Sequence, residues 1–188
     1  MKQKQLLLLL PILLLTIIGR TWRDIPKYYK SLGYVSFFNS FYYYICKRYL
    51  LWEFPPYGFH WRLLRALHIF LITPLLVLAY LSSFPRSFSK KIVHLIKWTF
   101  ISSLFEYFAV KQKMIKFKHG WNIYYSGLIY LKMYMLSYLH TKKPLPSWVL
   151  SIIFLIVCIL KFKVPLKTRL LKGPIFFLIK KDKFSPFE

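Results

Sequence analysis

The chain has 188 residues, of which 57% are hydrophobic and 21% are aromatic, more apolar side chains than a soluble domain of this size buries. Its 29 Lys and Arg against 5 Asp and Glu give a formal net charge of +24, an imbalance that many nucleic-acid-binding proteins share. Here, however, the bases lie in short clusters between apolar runs of membrane-spanning length. This pattern predicts an all-α, polytopic membrane protein with the lipid bilayer, and no nucleic acid, as its partner.

The N-terminal part contains two predicted membrane helices and a helix-breaking segment. The first apolar run, residues 6–18, lacks the small residues of a signal-peptide cleavage site and favours an uncleaved anchor. The second, residues 32–52, is crowded with aromatic side chains, so it predicts either a spanning helix or a re-entrant, interfacial one. The two prolines of FPPYG, residues 54–58, then end the helix because proline cannot donate a backbone hydrogen bond.

The rest of the chain contains four more runs of about spanning length, at residues 61–81, 92–110, 121–139 and 148–160. Pro74 predicts a kink in the first of them. Residues 1–163 therefore predict a transmembrane domain of six helices, or of five plus a re-entrant aromatic segment. Residues 164–188 predict a basic tail with a short apolar patch that lies on the membrane surface.

The distribution of bases predicts an orientation. With six spans, the side that carries both termini has about twice as many Lys and Arg as the other, which places both termini in the cytoplasm. With five spans the N-terminus moves outside, but the tail stays cytoplasmic. We expect the tail to bind anionic lipid headgroups, and a second copy of the chain or another membrane protein is a further candidate partner.

Four polar residues and a methionine recur along the fifth predicted helix. Because they are three or four residues apart, they share one stripe that we expect to face other helices: Asn122, Ser126, Tyr130, Met133 and Ser137. Such residues either join helices by hydrogen bonds or bind a ligand.

Two ionisable residues are expected inside the membrane. Lys132 lies ~18 Å along the fifth helix, and Glu106 is the one acidic residue within a predicted span. We predict that they pair, with Arg65, Lys111 and His119 as competing partners, either as a proton or ion pathway or as a structural ion pair. The candidate functional cluster is Glu106, His119, Asn122, Ser126 and Lys132.

The sequence has no nucleophile elbow, phosphate-binding loop or paired-carboxylate motif, so we predict no catalytic residue and no cofactor. The five histidines have no metal-ligand spacing, and we expect them to be partly solvated near the ends of the spans. Cys46 and Cys158 lie in apolar runs and are expected to be free thiols.

The motifs LLWEF, TPLLVLAYLSSFP, FEYF, HGWNIYYS and LHTKKPL occur in this order. Together with KYYKSLGYVSFFNSFYYYI they resemble a family of small polytopic membrane proteins of Gram-positive spore-forming bacteria that has no assigned function. The resemblance covers most of residues 27–150 and implies no activity, substrate or cofactor. The recurrent positions that it implies, among which Lys132 is absent, are Trp52, Pro74, Pro85, Glu106, His119, Gly120, Trp121, Asn122, Ser126 and Pro144.

Three functions are compatible with this sequence. The first is a structural or interaction component of a bacterial cytoplasmic membrane, working through helix contacts and a lipid-bound tail. The second is a small transporter or a proton- or ion-conducting protein centred on Glu106. The third is a membrane-bound enzyme that acts on a lipid headgroup, with Glu106, His119 and Asn122 converging.

Overall fold

The computed structural model describes residues 9–46, 49–55 and 61–165. Six helices account for most of this part of the chain, so the expectation of a mostly helical protein is confirmed. They are α1 (Leu9–Ile18), α2 (Ile25–Ile45), α3 (Trp61–Leu67, His68–Ile72 and Thr73–Ser82 in succession), α4 (Phe88–Lys111), α5 (Ile123–Lys142) and α6 (Pro144–Lys161). Each predicted span overlaps one helix. The predicted tail from residue 166 onward lies outside the described residues.

The boundaries of α2 correct the predicted second span. The helix begins at Ile25 rather than at residue 32, because Pro26 is favourable in a first helical turn. Lys27 and Lys30 then lie on the exposed face, while Ser31 is buried. The helix ends at Ile45, and residues 49–51 are not helical, so the C-terminal end of the predicted span is not part of α2.

A two-stranded ribbon, which the all-helical prediction missed, fastens two connections together. Strand β1 (Trp52–Glu53) pairs antiparallel with β2 (Lys116–Phe117), so that Trp52 lies opposite Phe117. The Lys118 amide donates to the Leu51 carbonyl at 2.8 Å, and the Lys118 ammonium pairs with the Glu53 carboxylate. The ribbon thereby holds the segment that precedes α5 against the end of α2.

The middle of α3 widens into a single π-helical turn, His68–Ile72. Pro74 has no amide hydrogen, so an α-helical register would leave the carbonyl four residues before it without a donor. In the structure the Thr73 amide donates to the His68 carbonyl, five residues back, and the helix continues through Pro74. The predicted irregularity at Pro74 is therefore present as a π turn, a feature frequently found at functional sites.

The core lies where α3 and α5 meet. Residues 77–81 of α3 are all buried, and the Tyr80 ring packs on the Tyr134 ring with centroids 4.5 Å apart. Helix α5 also contacts α2, α4 and α6, which makes it the central helix of the bundle. The Tyr34 hydroxyl of α2 donates to the Ser147 carbonyl at 3.3 Å and hydrogen-bonds the Ser151 hydroxyl, which ties α2 to α6.

Two helices have the reverse of the polarity expected in a soluble protein. On α6, Ser147 and Ser151 are completely buried, whereas the outward face consists of large apolar side chains: Val149, Leu150, Ile152, Ile153, Ile156, Val157 and Leu160. On α4 the buried residues are Ser102, Glu106 and Ala109, and the exposed ones include Val93, Ile96, Phe100, Phe105 and Phe108. Small and polar residues between helices with apolar residues outside are typical of packing in lipid.

Length and composition make two of the described helices suitable for crossing a membrane, Arg62–Ser82 and Pro144–Lys161. The apolar window of Arg62–Ser82 is 44% buried, as the core helix of a soluble protein would also be, but that of Pro144–Lys161 is only 11% buried. Helices α2, α4 and α5 are long enough to span but contain too many polar or charged residues to meet the same criterion. Helix α1 is described over 10 residues.

The buried serines of α6 give a test of this packing. We expect Ser151→Leu to destabilise the fold by about 1–3 kcal/mol, because the larger side chain overpacks the contact with α2 and removes one of the two hydrogen-bond partners of Tyr34. The matched variant Ile153→Leu lies on the outward face and should change the stability little. Thermal unfolding in detergent, followed by circular dichroism, measures both. Equal effects at the two positions would contradict the assignment of inner and outer faces.

Candidate functional site at Glu106

The carboxyl group of Glu106 lies inside the bundle, at the contact between α4 and α5. Glu106 is buried, with 8% of its surface exposed to solvent. Helices α4 and α5 run antiparallel, since Ser102 hydrogen-bonds Tyr134 while Glu106, one turn later on α4, bonds residues earlier on α5. This register places one carboxyl group opposite two hydroxyl groups.

Both oxygen atoms of the carboxyl group accept a hydrogen bond. The Ser126 hydroxyl donates to Oε1 at 2.6 Å, and the Tyr130 hydroxyl donates to Oε2 at 2.7 Å. The Trp121 indole donates in turn to the Ser126 oxygen at 2.9 Å, which leaves the serine hydrogen directed at Glu106. Hydrogen bonds to an ionised acceptor are short and about twice as strong as neutral ones. Within the described part of the chain no cation forms an ion pair with Glu106.

The start of α5 positions these donors. The residues before it, His119 and Gly120, have positive φ angles of 55° and 78°, a backbone region that glycine adopts without strain. Asn122 then caps the helix, because its side-chain oxygen accepts from the amides of Tyr124 and Tyr125 at 3.0 and 3.2 Å. This turn and cap set the orientation of Trp121 and bring Ser126, one helical turn later, next to Glu106.

Glu106 lines two cavities. The larger has a volume of about 170 Å³ and is lined mainly by apolar side chains of α1, α3 and α4. The smaller, of about 70 Å³, has a more polar lining that includes Asn39, Thr73 and Ser126. Both are lined by Glu106 and Tyr130, and both are also lined by Trp52 of the ribbon and His68 of α3. The carboxyl group is thus the acidic group that the described walls of both cavities share.

His68 is a residue of this site that sequence reasoning did not select. It opens the π turn, and its Nε2 lies 3.1 Å from the Thr73 hydroxyl while its Nδ1 lies 3.4 Å from the Tyr43 hydroxyl. The rings of Trp52 and Phe54 lie against it, with centroids 4.9 and 5.6 Å away. The sequence signal that could have found it is Pro74, since the proline causes the π turn that directs this histidine.

The predicted pair of Glu106 with Lys132 is not formed, which corrects that prediction. The Lys132 ammonium lies over the rings of Phe38 and Phe154, 5.1 and 5.2 Å from their centroids. It therefore joins α5 to α2 and α6, on another side of α5 from Glu106. Hydroxyl groups one turn apart on α5, at Ser126 and Tyr130, take the place that the sequence assigned to the lysine.

Two other members of the predicted cluster do not reach Glu106. His119 is exposed, and its ring stacks on Tyr49 with centroids 3.6 Å apart. The Asn122 side chain is occupied by the helix cap. Of the candidate cluster, the structure thus brings together Glu106 and Ser126, to which it adds Tyr130, Trp121 and His68.

The expectation of partly solvated histidines is wrong for His140. This residue is buried, its Nδ1 lies 3.1 Å from the Ser31 hydroxyl, and its ring stacks on Tyr34 at 4.5 Å. The sequence placed it at the end of a helix, but α2 extends far enough toward its own N-terminus to cover it. His60 lies outside the described residues.

The described segments contain no candidate metal site, because no three His, Cys, Asp or Glu side chains are grouped there so that they could hold an ion. Comparisons with protein-family models, with curated proteins and with solved structures found no match to this chain. The family resemblance therefore stays a prediction, and the geometry of the site is the observation from which a function can be proposed.

A pair of double-mutant cycles tests this geometry. We expect Glu106→Gln and Tyr130→Phe to be coupled by about 0.5–3 kcal/mol in the free energy of unfolding, because the two side chains share a buried hydrogen bond. Glu106→Gln and Lys132→Met should be additive to within about 0.5 kcal/mol, because their side chains have different partners. Unfolding in detergent gives both values. A strong coupling with Lys132 and none with Tyr130 would show that the predicted ion pair exists after all.

Proposed function

We propose that this chain is a multi-pass protein of a bacterial cytoplasmic membrane. The observation that supports this is the outward polarity of α4 and α6, whose exposed faces are mainly apolar, with Lys97 as an exposed charge in the middle of α4, while their buried faces carry Ser102, Glu106, Ser147 and Ser151. In water such a surface would drive aggregation, whereas lipid is its natural solvent. Positive-inside reasoning orients the C-terminal basic tail toward the cytoplasm, where it binds anionic lipid.

Within this membrane protein, we propose a small transporter or a proton- or cation-conducting centre at Glu106. An ionisable residue inside a membrane bundle is costly and usually serves a pathway. Glu106 has hydroxyl groups rather than a cation as its partners in the described residues, so its charge is available to a transported species. It also lines two cavities, either of which can hold that species next to the carboxyl group.

The polar groups that line the smaller cavity are suited to the movement of protons in particular. Its lining combines the carboxyl group with hydroxyl, amide and imidazole groups, those of Tyr130, Ser126, Thr73, Asn39 and His68. The Asn39 amide nitrogen is buried and has no hydrogen-bond partner within the described segments, so it can bind a water molecule or a ligand there. A line of such groups, with water between them, can relay protons.

The other two functions have less support in the geometry. A structural or interaction component would use the apolar outward face of α6, which a partner helix could cover as well as lipid. The lipid-headgroup enzyme needs His119 and Asn122 beside Glu106, and both side chains have other partners.

Proton uptake into liposomes tests the transport function. Purified protein is reconstituted with a pH-sensitive dye inside, and an inside-negative potential is imposed. We expect the wild-type protein to accelerate acidification and Glu106→Gln to abolish the acceleration, because the glutamine amide does not ionise and so cannot bind and release a proton as a carboxyl group does. Glu53→Gln is the matched control, since Glu53 pairs with Lys118 and neither residue lines either cavity.

Equal rates for wild type and Glu106→Gln would contradict a conducting centre at this residue. If Glu106→Gln leaves the rate of acidification unchanged but dissociates an oligomer seen on native gels, the interaction function is better supported than the transport function. Both variants are first compared with wild type for expression and for helical content, so that a change in rate is not a failure to fold.

A further inference from the structure

The larger cavity has the size of a binding site for one small organic group. Its volume is about 170 Å³. An engineered apolar cavity of about 150 Å³ in another protein binds benzene, so this one has room for a single aromatic ring or a short branched chain. A ligand of this size would lie against Glu106, because the carboxyl group is part of the wall.

The wall of this cavity selects positive charge. Glu106 is the acidic residue of the described lining, and no Lys or Arg is among those lining residues although the chain as a whole carries +24. Each carboxylate oxygen has a second lone pair besides the one that accepts from Ser126 or Tyr130. An ammonium group can therefore hydrogen-bond to Glu106 without displacing either hydroxyl.

Aromatic side chains in the same wall suit a cation further. Trp52, Trp98 and Phe105 line the cavity, and the negative faces of such rings attract organic ammonium ions, most strongly where water is excluded. The same rings accept an apolar body. This combination of one carboxylate and several rings is the chemistry that recognises amines.

The cavity reaches the apolar surface of the protein between α1 and α4. Leu15 of α1 and Phe105 of α4 both line it, yet they are 44% and 55% exposed. Ile101, one turn before Phe105, also lines it and is exposed. If α4 faces lipid as proposed, the opening between these residues is on the lipid side.

We propose that the larger cavity binds a lipophilic amine, an ammonium group on an apolar body of about one aromatic ring, which enters from the lipid between α1 and α4. This inference rests on the proposed function, for which it names the class of cation. The ammonium group lies at Glu106, and the apolar body extends toward Leu15 and Phe105.

Calorimetric titration of the full-length protein in phosphatidylcholine nanodiscs tests the proposal. The probes are benzylamine and its uncharged analogue benzyl alcohol, and empty nanodiscs give the background of partitioning into lipid. We expect saturable binding of benzylamine, about tenfold or more tighter than that of benzyl alcohol, because only the amine gains a charge-assisted bond. Glu106→Gln should remove this preference, and Glu53→Gln should retain it.

A second variant tests the route. Leu15→Trp enlarges a side chain at the proposed opening, where an exposed position tolerates the change, and we expect it to slow benzylamine association while the preference for the amine persists. Repeating the titration with phosphatidylethanolamine in the nanodiscs identifies the source of the ammonium group. Weaker binding of benzylamine in these nanodiscs means that the phosphatidylethanolamine headgroup competes for the cavity and is the source. Unchanged binding of benzylamine points to a free amine.

Equal binding of the amine and the alcohol, or an unchanged preference in Glu106→Gln, would overturn the proposal. Its failure is distinguishable from that of the proposed function. If Glu106-dependent proton uptake occurs but benzylamine does not bind, the conducting centre stands and the amine site is wrong. If neither occurs, both are wrong.

Discussion

The hydrogen bonds between buried polar side chains are the constraint on which this bundle depends. Where helices meet, polar groups pair across the contact. Four such contacts each join two different helices: Ser31 with His140, Tyr34 with Ser151, Ser102 with Tyr134, and Glu106 with Ser126 and Tyr130. Each such bond contributes on average about 0.6 kcal/mol in lipid. Leaving a buried partner unmatched costs more than that, so the pairs fix which faces can meet.

This constraint explains why Glu106 is held without a cation. A charged group inside a low-dielectric bundle needs hydrogen bonds, and two hydroxyl donors on α5 provide them at the depth where the carboxyl group lies. Lys132, on the same helix as these donors, has different partners, since its ammonium lies over the rings of Phe38 and Phe154. The two ionisable groups are thus satisfied separately. Because Lys132 does not pair with Glu106, a cationic ligand in either cavity can pair with the carboxyl group.

The helices and the stripe on α5 could be predicted from the sequence, and the partners of the ionisable residues could not. Apolar runs identify the helices because each needs a continuous apolar surface, and the spacing of Ser126, Tyr130 and Ser137 fixes their common face. Whether Glu106 meets a lysine or two hydroxyl groups depends on the rotation of α4 against α5, which no local pattern encodes. The ribbon at Trp52 was missed for a related reason, since two-residue strands have no periodicity. His68 was missed because its orientation comes from the π turn before Pro74.

The proposed function and the proposed amine site both require that the outward faces of α4 and α6 lie in lipid. Spin labels on single cysteines, in a background without Cys46 and Cys158, measure this directly. Labels at Phe100 and Ile153 should collide often with oxygen, which concentrates in lipid, and rarely with a water-soluble nickel chelate, whereas a label at exposed Lys113 should show the reverse. Frequent collisions with the chelate at Phe100 and Ile153 would show that these faces lie in water or at its boundary, and would contradict the account.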